Sequence, residues 1–125
     1  MSKILLIEPD KILAGNIKTF FKRRGHSVHA QASAQTGIDA ADKLKPDAVI
    51  LDLQLSGHSG IEFLHELRSY ADWQSLPVVV FSSLNPDQLG GEDAAKASLT
   101  ISAYVHKPTA SLANLAKAVE QSLTK

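Results

Sequence analysis

Acids, hydroxyls and one lysine recur at the ends of short apolar runs in this chain. Residues 4–7 run into Glu8, Pro9 and Asp10. Residues 48–51 run into Asp52, residues 77–81 into Ser82 and Ser83, and residues 103–106 into Lys107 and Pro108. Carboxylates held close together repel and call for a cation. Oxygen donors of this type suit Mg2+, which takes one or two carboxylates plus phosphate oxygens. A lysine and a hydroxyl nearby can hold phosphoryl oxygens. A lone carboxylate in that setting can itself accept a phosphoryl group. The chemistry in view is therefore phosphoryl transfer to an acid, if the fold gathers these strand ends.

The elements that must gather them follow from periodicity. Between the apolar runs, Leu13, Ile17, Phe20 and Phe21 fall at helical spacing, and Gly25 stops that helix. Ser27–Gln31 is a weaker strand. Ala34, Ile38, Ala41 and Leu44 share one helix face, which Pro46 ends. Ser59 and Glu62 form an S-x-x-E capping box ahead of Phe63, Leu64 and Leu67. After residues 77–81 the pattern weakens: Asn85-Pro86 suits a helix start, but Gly90-Gly91 interrupts it. Leu112, Leu115, Ala116, Val119 and Leu123 make a clear terminal amphipathic helix. Five strands thus alternate with five helices. Strands apolar on both faces belong to a parallel sheet covered by helices. The expectation is a doubly wound α/β fold with one domain, residues 1–125. Its site then lies at the carboxyl ends of the strands, at the switch in strand order.

Composition removes other classes. The chain has 125 residues, no cysteine, and thirteen basic residues against thirteen acidic ones. That length suits one core without disulfide or metal staples. No thiol nucleophile or cysteine metal site exists. Balanced charge argues against direct nucleic-acid binding, which needs a basic patch. No apolar run approaches the ~18 residues of a membrane span, and the N-terminus lacks a signal-peptide pattern. A soluble cytoplasmic domain is expected. No glycine-rich nucleotide loop follows any strand, and "SGHSG" is not the G-x-S-x-G of a hydrolase elbow. The five histidines share no metal-ligand spacing and read as surface residues. Trp73 is expected to pack the loop before the fourth strand.

The strand-end residues resemble, over nearly the whole chain, a response-regulator receiver domain of two-component signalling. The stretch "DLQLSGHSG" after the third strand is similar to the family's D-x-x-M-P-x-x-x-G, with Ser56 at the proline position and Gly60 in place. Ser82 matches the switch hydroxyl by register, ahead of its neighbour Ser83. "YVHKP" matches the aromatic-x-x-K-P motif, with Tyr104 as the mobile aromatic and Lys107 as the phosphate-sensing lysine. The resemblance implies a flavodoxin-like (βα)5 fold. It implies that Asp52 takes a phosphoryl group from a histidine kinase or phosphotransfer protein, by self-catalysed transfer rather than as an enzyme. Mg2+ would bridge Glu8, Asp52, the Gln54 backbone carbonyl and the phosphoryl oxygens. In the resting state Lys107 would pair with Asp52 and the Tyr104 ring would stand on the surface. Phosphorylation would draw Ser82 and then Tyr104 inward, changing a face read by a downstream protein or effector domain. A weak homodimer is a further expectation, and the family often has a cis bond before the motif's proline.

The first motif departs from the family. Receivers usually end the first strand with two adjacent acids; Glu8 matches the first, but Pro9 stands where the second supplies a direct Mg2+ ligand. Proline has no ligand side chain and no N–H. Mg2+ should therefore bind weakly. Asp10 suits the N-cap of the first helix, or it compensates in part for Pro9. The alternative reading is a pseudo-receiver, a protein-binding module that works without phosphorylation.

Overall fold

A computed structural model of the chain describes residues 2–55, 60–84 and 101–123. The elements run β1 (Lys3–Ile7), α1 (Lys11–Arg23), β2 (Ser27–Gln31), α2 (Ala34–Leu44), β3 (Ala48–Leu51), α3 (Gly60–Arg68), β4 (Val78–Ser82), β5 (Ala103–His106) and α4 (Leu112–Leu123). Short 3-10 turns at Ala71–Trp73 and Lys107–Thr109 precede β4 and α4. The capping serine expected at Ser59, the Ser56 position and the weakly patterned stretch 85–100 lie outside the described residues.

The five strands form one parallel sheet in the order β2-β1-β3-β4-β5. The chain steps from β1 to one side, then crosses back to place β3 on the other. The switch in order therefore falls between β1 and β3, which pair from Ile4 with Ala48 to Ile7 with Leu51. This is the flavodoxin-like architecture expected, and it opens a crevice at the carboxyl ends of these two strands.

Why the runs are apolar throughout is visible in the two cores. Alternate strand residues point to opposite faces. Ile4, Leu6, Ile50, Val79 and Phe81 face α1 and α4, meeting Ile17, Phe21, Leu115, Ala116 and Val119. Leu5, Ile7, Val49, Leu51, Val78 and Val80 face α2 and α3, meeting Ala41, Phe63, Leu64 and Leu67. Ala103 and Val105 of β5 join the first core, and Tyr104 joins the second. Each strand thus sorts its side chains by parity.

Helix ends are capped by sequence. Asp10 Oδ1 accepts from the amides of Ile12 and Leu13 at 3.0 and 3.1 Å, so Asp10 is the N-cap of α1. Gly25 follows α1 with φ +89°, a conformation that glycine alone adopts freely. Ser111 and Asn114 exchange side-chain to backbone bonds of 3.1 and 2.9 Å at the start of α4. The distal ends of α1 and α4 are joined through Glu120, which meets Arg24 and His26 Nε2. The Arg24 guanidinium holds the Glu120 carboxyl down at about 2. Among the described residues, no helix is long and apolar enough to cross a membrane.

Candidate functional site

Glu8 and Asp52 continue β1 and β3 one residue past their last paired strand positions. The Glu8 amide donates to the Gln31 carbonyl at 2.9 Å, and the Asp52 amide to the Ile7 carbonyl at 3.0 Å. Parity places both on the α1/α4 side of the sheet, the side shared by Val105 and hence by Lys107. The Lys107 ammonium lies 2.7 Å from Glu8 Oε1 and 2.8 Å from Asp52 Oδ2. The two remaining oxygens are also held: Glu8 Oε2 accepts from the Asp10 amide at 3.1 Å, and Asp52 Oδ1 from the Gln54 amide at 3.0 Å. Lys107 stands 5.5 Å from the centre of the Phe81 ring, a further attraction for its charge.

Both acids are buried. Burial pushes the Glu8 carboxyl above its ordinary range; the Lys107 bond opposes this, and the Asp52 charge adds to it. Burial pulls Lys107 down, but its bonds to Asp52 and Glu8 outweigh that and hold its ammonium above the ordinary range. Two carboxylates against one ammonium leave a net negative charge when both acids are ionised. The site therefore favours a further proton or cation.

The donors fit a hard divalent cation only thinly. Glu8 and Asp52 offer carboxylate oxygens, but one oxygen of each already binds Lys107. Pro9 offers none, and Asp10 Oδ1 is committed to the cap of α1. Among the described residues, no group of three His, Cys, Asp or Glu side chains is arranged to hold a metal ion. A metal here would depend on phosphoryl oxygens and water to fill its shell.

Ser82 and Tyr104 sit on the opposite face of the sheet. Ser82 is the last residue of β4 and is fully buried; its Oγ accepts from the Leu84 amide at 3.2 Å. Tyr104, expected on the surface in the resting state, is half-buried. Its hydroxyl donates to the Leu84 carbonyl at 2.5 Å, and its ring packs against the α2/α3 core. Burial raises its phenol, while a hydrogen bond with Ser82 opposes that. The half-buried hydroxyl finds an acceptor in the turn after β4, and the ring keeps an apolar face.

His106, read from the sequence as a surface residue, and Ser83, passed over there for Ser82, join this group. His106 Nε2 lies 3.1 Å from the Ser83 carbonyl, and Ser83 Oγ donates to Gln54 Oε1 at 2.5 Å. The signal was the alternation itself, because residues 104 and 106 of one strand share a face. The other described histidines stay apart from the site: His26 meets Glu120, His29 meets Ser27, and His65 is exposed. His58 lies outside the described residues. Gly60 has a role beyond its place in the motif. A Cβ there would come within 2.5 Å of the Asp52 carbonyl and 2.6 Å of Leu53 Cα, so only glycine lets α3 begin against this segment. Trp73 packs edge-on to Tyr70 at 4.9 Å, in the turn before β4 as expected and at the opposite end of the sheet from Asp52. Every peptide bond among the described residues is trans, that before Pro108 included.

Comparison with known proteins agrees with this geometry. The family model for the response regulator receiver domain matches residues 4–120. The KDP operon transcriptional regulatory protein KdpE of Escherichia coli is 33% identical over 96 residues, which cover 75% of this chain and 41% of that protein. The transcriptional regulatory protein AfsQ1 of Streptomyces coelicolor is 30% identical over 70% of this chain and 37% of its own length. The chain thus spans less than half of these relatives. Among solved structures, the BeF3-activated N-terminal receiver domain of Klebsiella pneumoniae RstA superposes with a TM-score of 0.85 at 25% identity. That match covers 98% of this chain and 99% of that one. The chemotaxis response regulator CheY4 of Vibrio cholerae, at 19% identity, shares the fold with a TM-score of 0.86 over 98% of this chain and 99% of its own. With its parallel sheet and with acids and lysine at the switch point, the chain belongs to the response-regulator receiver family of two-component signalling.

Proposed function

We propose that Asp52 is a phosphoacceptor, charged from the phosphohistidine of a histidine kinase or phosphotransfer protein. The observation that carries this is the fixed pose of its carboxylate, with Lys107 on Oδ2 and the Gln54 amide on Oδ1. In the transfer an Asp52 oxygen attacks phosphorus, the O–P bond forms, and the P–N bond to the donor breaks. The imidazole leaves with its electron pair. Bound Mg2+ would supply charge neutralisation, held by Glu8, Asp52 and the Gln54 backbone carbonyl. Lys107 keeps its charge on the acceptor and turns from the carboxylate to a phosphoryl oxygen as the new group arrives. Ser82 offers its hydroxyl to a second oxygen. The added charge of about −1.5 to −2 is thereby converted into movement of the segment behind Ser82, which Tyr104 grips. The output is a changed protein-binding face, read by a downstream protein or effector domain in the cytoplasm.

Intact-mass spectrometry after acetyl phosphate and Mg2+ tests the acceptor. Wild type should gain one phosphoryl group and Asp52→Asn none. Equal labelling of the variant would place the acceptor elsewhere.

A second reading is a pseudo-receiver that binds its partner without phosphorylation. Two observations favour it: Pro9 removes a metal ligand, and Tyr104 is already turned inward on the Leu84 carbonyl. Absence of labelling on the wild type, even at high Mg2+, would select this reading.

A further inference from the structure

Alternate residues of β5 hold two consecutive carbonyls of the chain leaving β4. Tyr104 donates to the Leu84 carbonyl, and His106 Nε2 lies 3.1 Å from the Ser83 carbonyl. A carbonyl oxygen only accepts, so His106 carries a proton on Nε2 here. The other ring nitrogen lies 3.5 Å from Thr109 Oγ1, which is also 3.3 Å from the His106 carbonyl. Register explains the reach, because Ser82 pairs with His106 across the two strands.

The Ser83 carbonyl and the Leu84 amide belong to one peptide unit. At its oxygen end that peptide is held by His106. At its N–H end it is held by Ser82 Oγ, at 3.2 Å. Turning this peptide to release the Ser82 hydroxyl breaks both bonds together.

We infer that His106 is a positioning residue, a latch on the Ser83–Leu84 peptide that holds the Ser82 hydroxyl where it accepts from the Leu84 amide. Its consequence for signalling rests on the phosphoacceptor reading. There the latch sets how readily Ser82 turns toward a phosphoryl group on Asp52. A receiver with an apolar residue at this position would have only the tyrosine grip, and its switch segment would move more easily.

The test begins with the unliganded protein. Backbone amide exchange of Leu84 is measured by NMR in wild type, His106→Val and His106→Gln, with the Val80 amide as reference. Valine suits a β-strand and removes the donor; the glutamine amide can restore a donor at similar reach. One net hydrogen bond corresponds to about 2- to 10-fold. His106→Val should speed Leu84 exchange by that factor and leave Val80 unchanged, and His106→Gln should return it to the wild-type rate. The ring 15N shifts of wild type should show a proton on Nε2. Unchanged Leu84 exchange in His106→Val, no recovery in His106→Gln, or a ring protonated on Nδ1 alone would each overturn the latch.

Beryllofluoride affinity, read from the Gln54 amide, then tests the consequence. His106→Val should bind about 2- to 10-fold more tightly than wild type. Equal affinity would show that the peptide does not restrain the switch. If wild type takes no beryllofluoride, the phosphoacceptor reading falls, and the latch is decided by the exchange result alone.

Discussion

Lys107→Met isolates the charge at the centre of the site. Methionine keeps the length and the apolar contact with Phe81 but removes the ammonium. In the wild type that ammonium bridges two carboxylates at 2.7 and 2.8 Å, whose side chains are 2% and 5% exposed, while its own is 19% exposed. Breaking a fully buried ion pair costs about 3–5 kcal/mol. Partial exposure of Lys107, and the freedom of an acid to take up a proton, reduce this to about 2–3 kcal/mol at neutral pH. The sign with pH follows from Glu8. Its carboxyl is already raised above 4.5, by burial first and by Asp52 as well, and Lys107, with the Asp10 amide, opposes that rise. Without Lys107 it rises further. The folded variant then holds a proton that the unfolded chain releases near 4.5, so its stability falls as pH rises through the raised folded value. The deficit should be small at pH 4.5 and fully developed at pH 7.5. Urea unfolding at both pH values checks this. With a slope of about 1–3 kcal/mol/M, the midpoint should drop by roughly 1–2 M at pH 7.5 and by much less at pH 4.5. A deficit equal at both pH values, or none at pH 7.5, would refute the view that Lys107 neutralises two buried acids.

Pro9→Asp adds the missing ligand, and Mg2+ affinity followed at the Gln54 amide should rise about 10- to 100-fold, the scale set by losing even a supporting partner of a metal; no change would remove position 9 from the ligand shell. Asp10→Ala should cost about 1 kcal/mol by loss of the α1 cap and leave Mg2+ affinity as it was. A clear drop in affinity would instead return Asp10 to a compensating role. Gly60→Ala forces a methyl against the backbone at Asp52 and Leu53. It should cost about 1–3 kcal/mol, the usual range for overpacking, and slow acetyl phosphate labelling of Asp52; an unperturbed unfolding midpoint would show that the start of α3 gives way.

The elements were legible because three of the five strands contain an unbroken apolar run. Residues 4–7, 48–51 and 77–81 carry no polar residue, and a strand of that kind is stable only between two helical layers. The strand-end acids, Ser82 and Lys107 followed from the same reading, since a doubly wound sheet has one functional edge. The second strand was weaker because Ser27–Gln31 is an edge strand with one buried residue, Val28. Asp10 was readable as a cap because an N-cap bond is local, reaching two and three residues along the chain.

What the chain determined alone was therefore whatever depends on near neighbours: period, caps, and which residues end which strand. The tertiary structure decided what depends on facing across the sheet. Parity and register put Glu8, Asp52 and Lys107 on one face and Ser82, Tyr104 and His106 on the other. It set one ammonium between two carboxylates where a single pairing was expected. It tied the Tyr104 hydroxyl to the Leu84 carbonyl, twenty residues away in sequence, which supplies the acceptor that hydroxyl needs. A side chain's partner across such a distance is chosen by strand order and register, and no local pattern of residues encodes them.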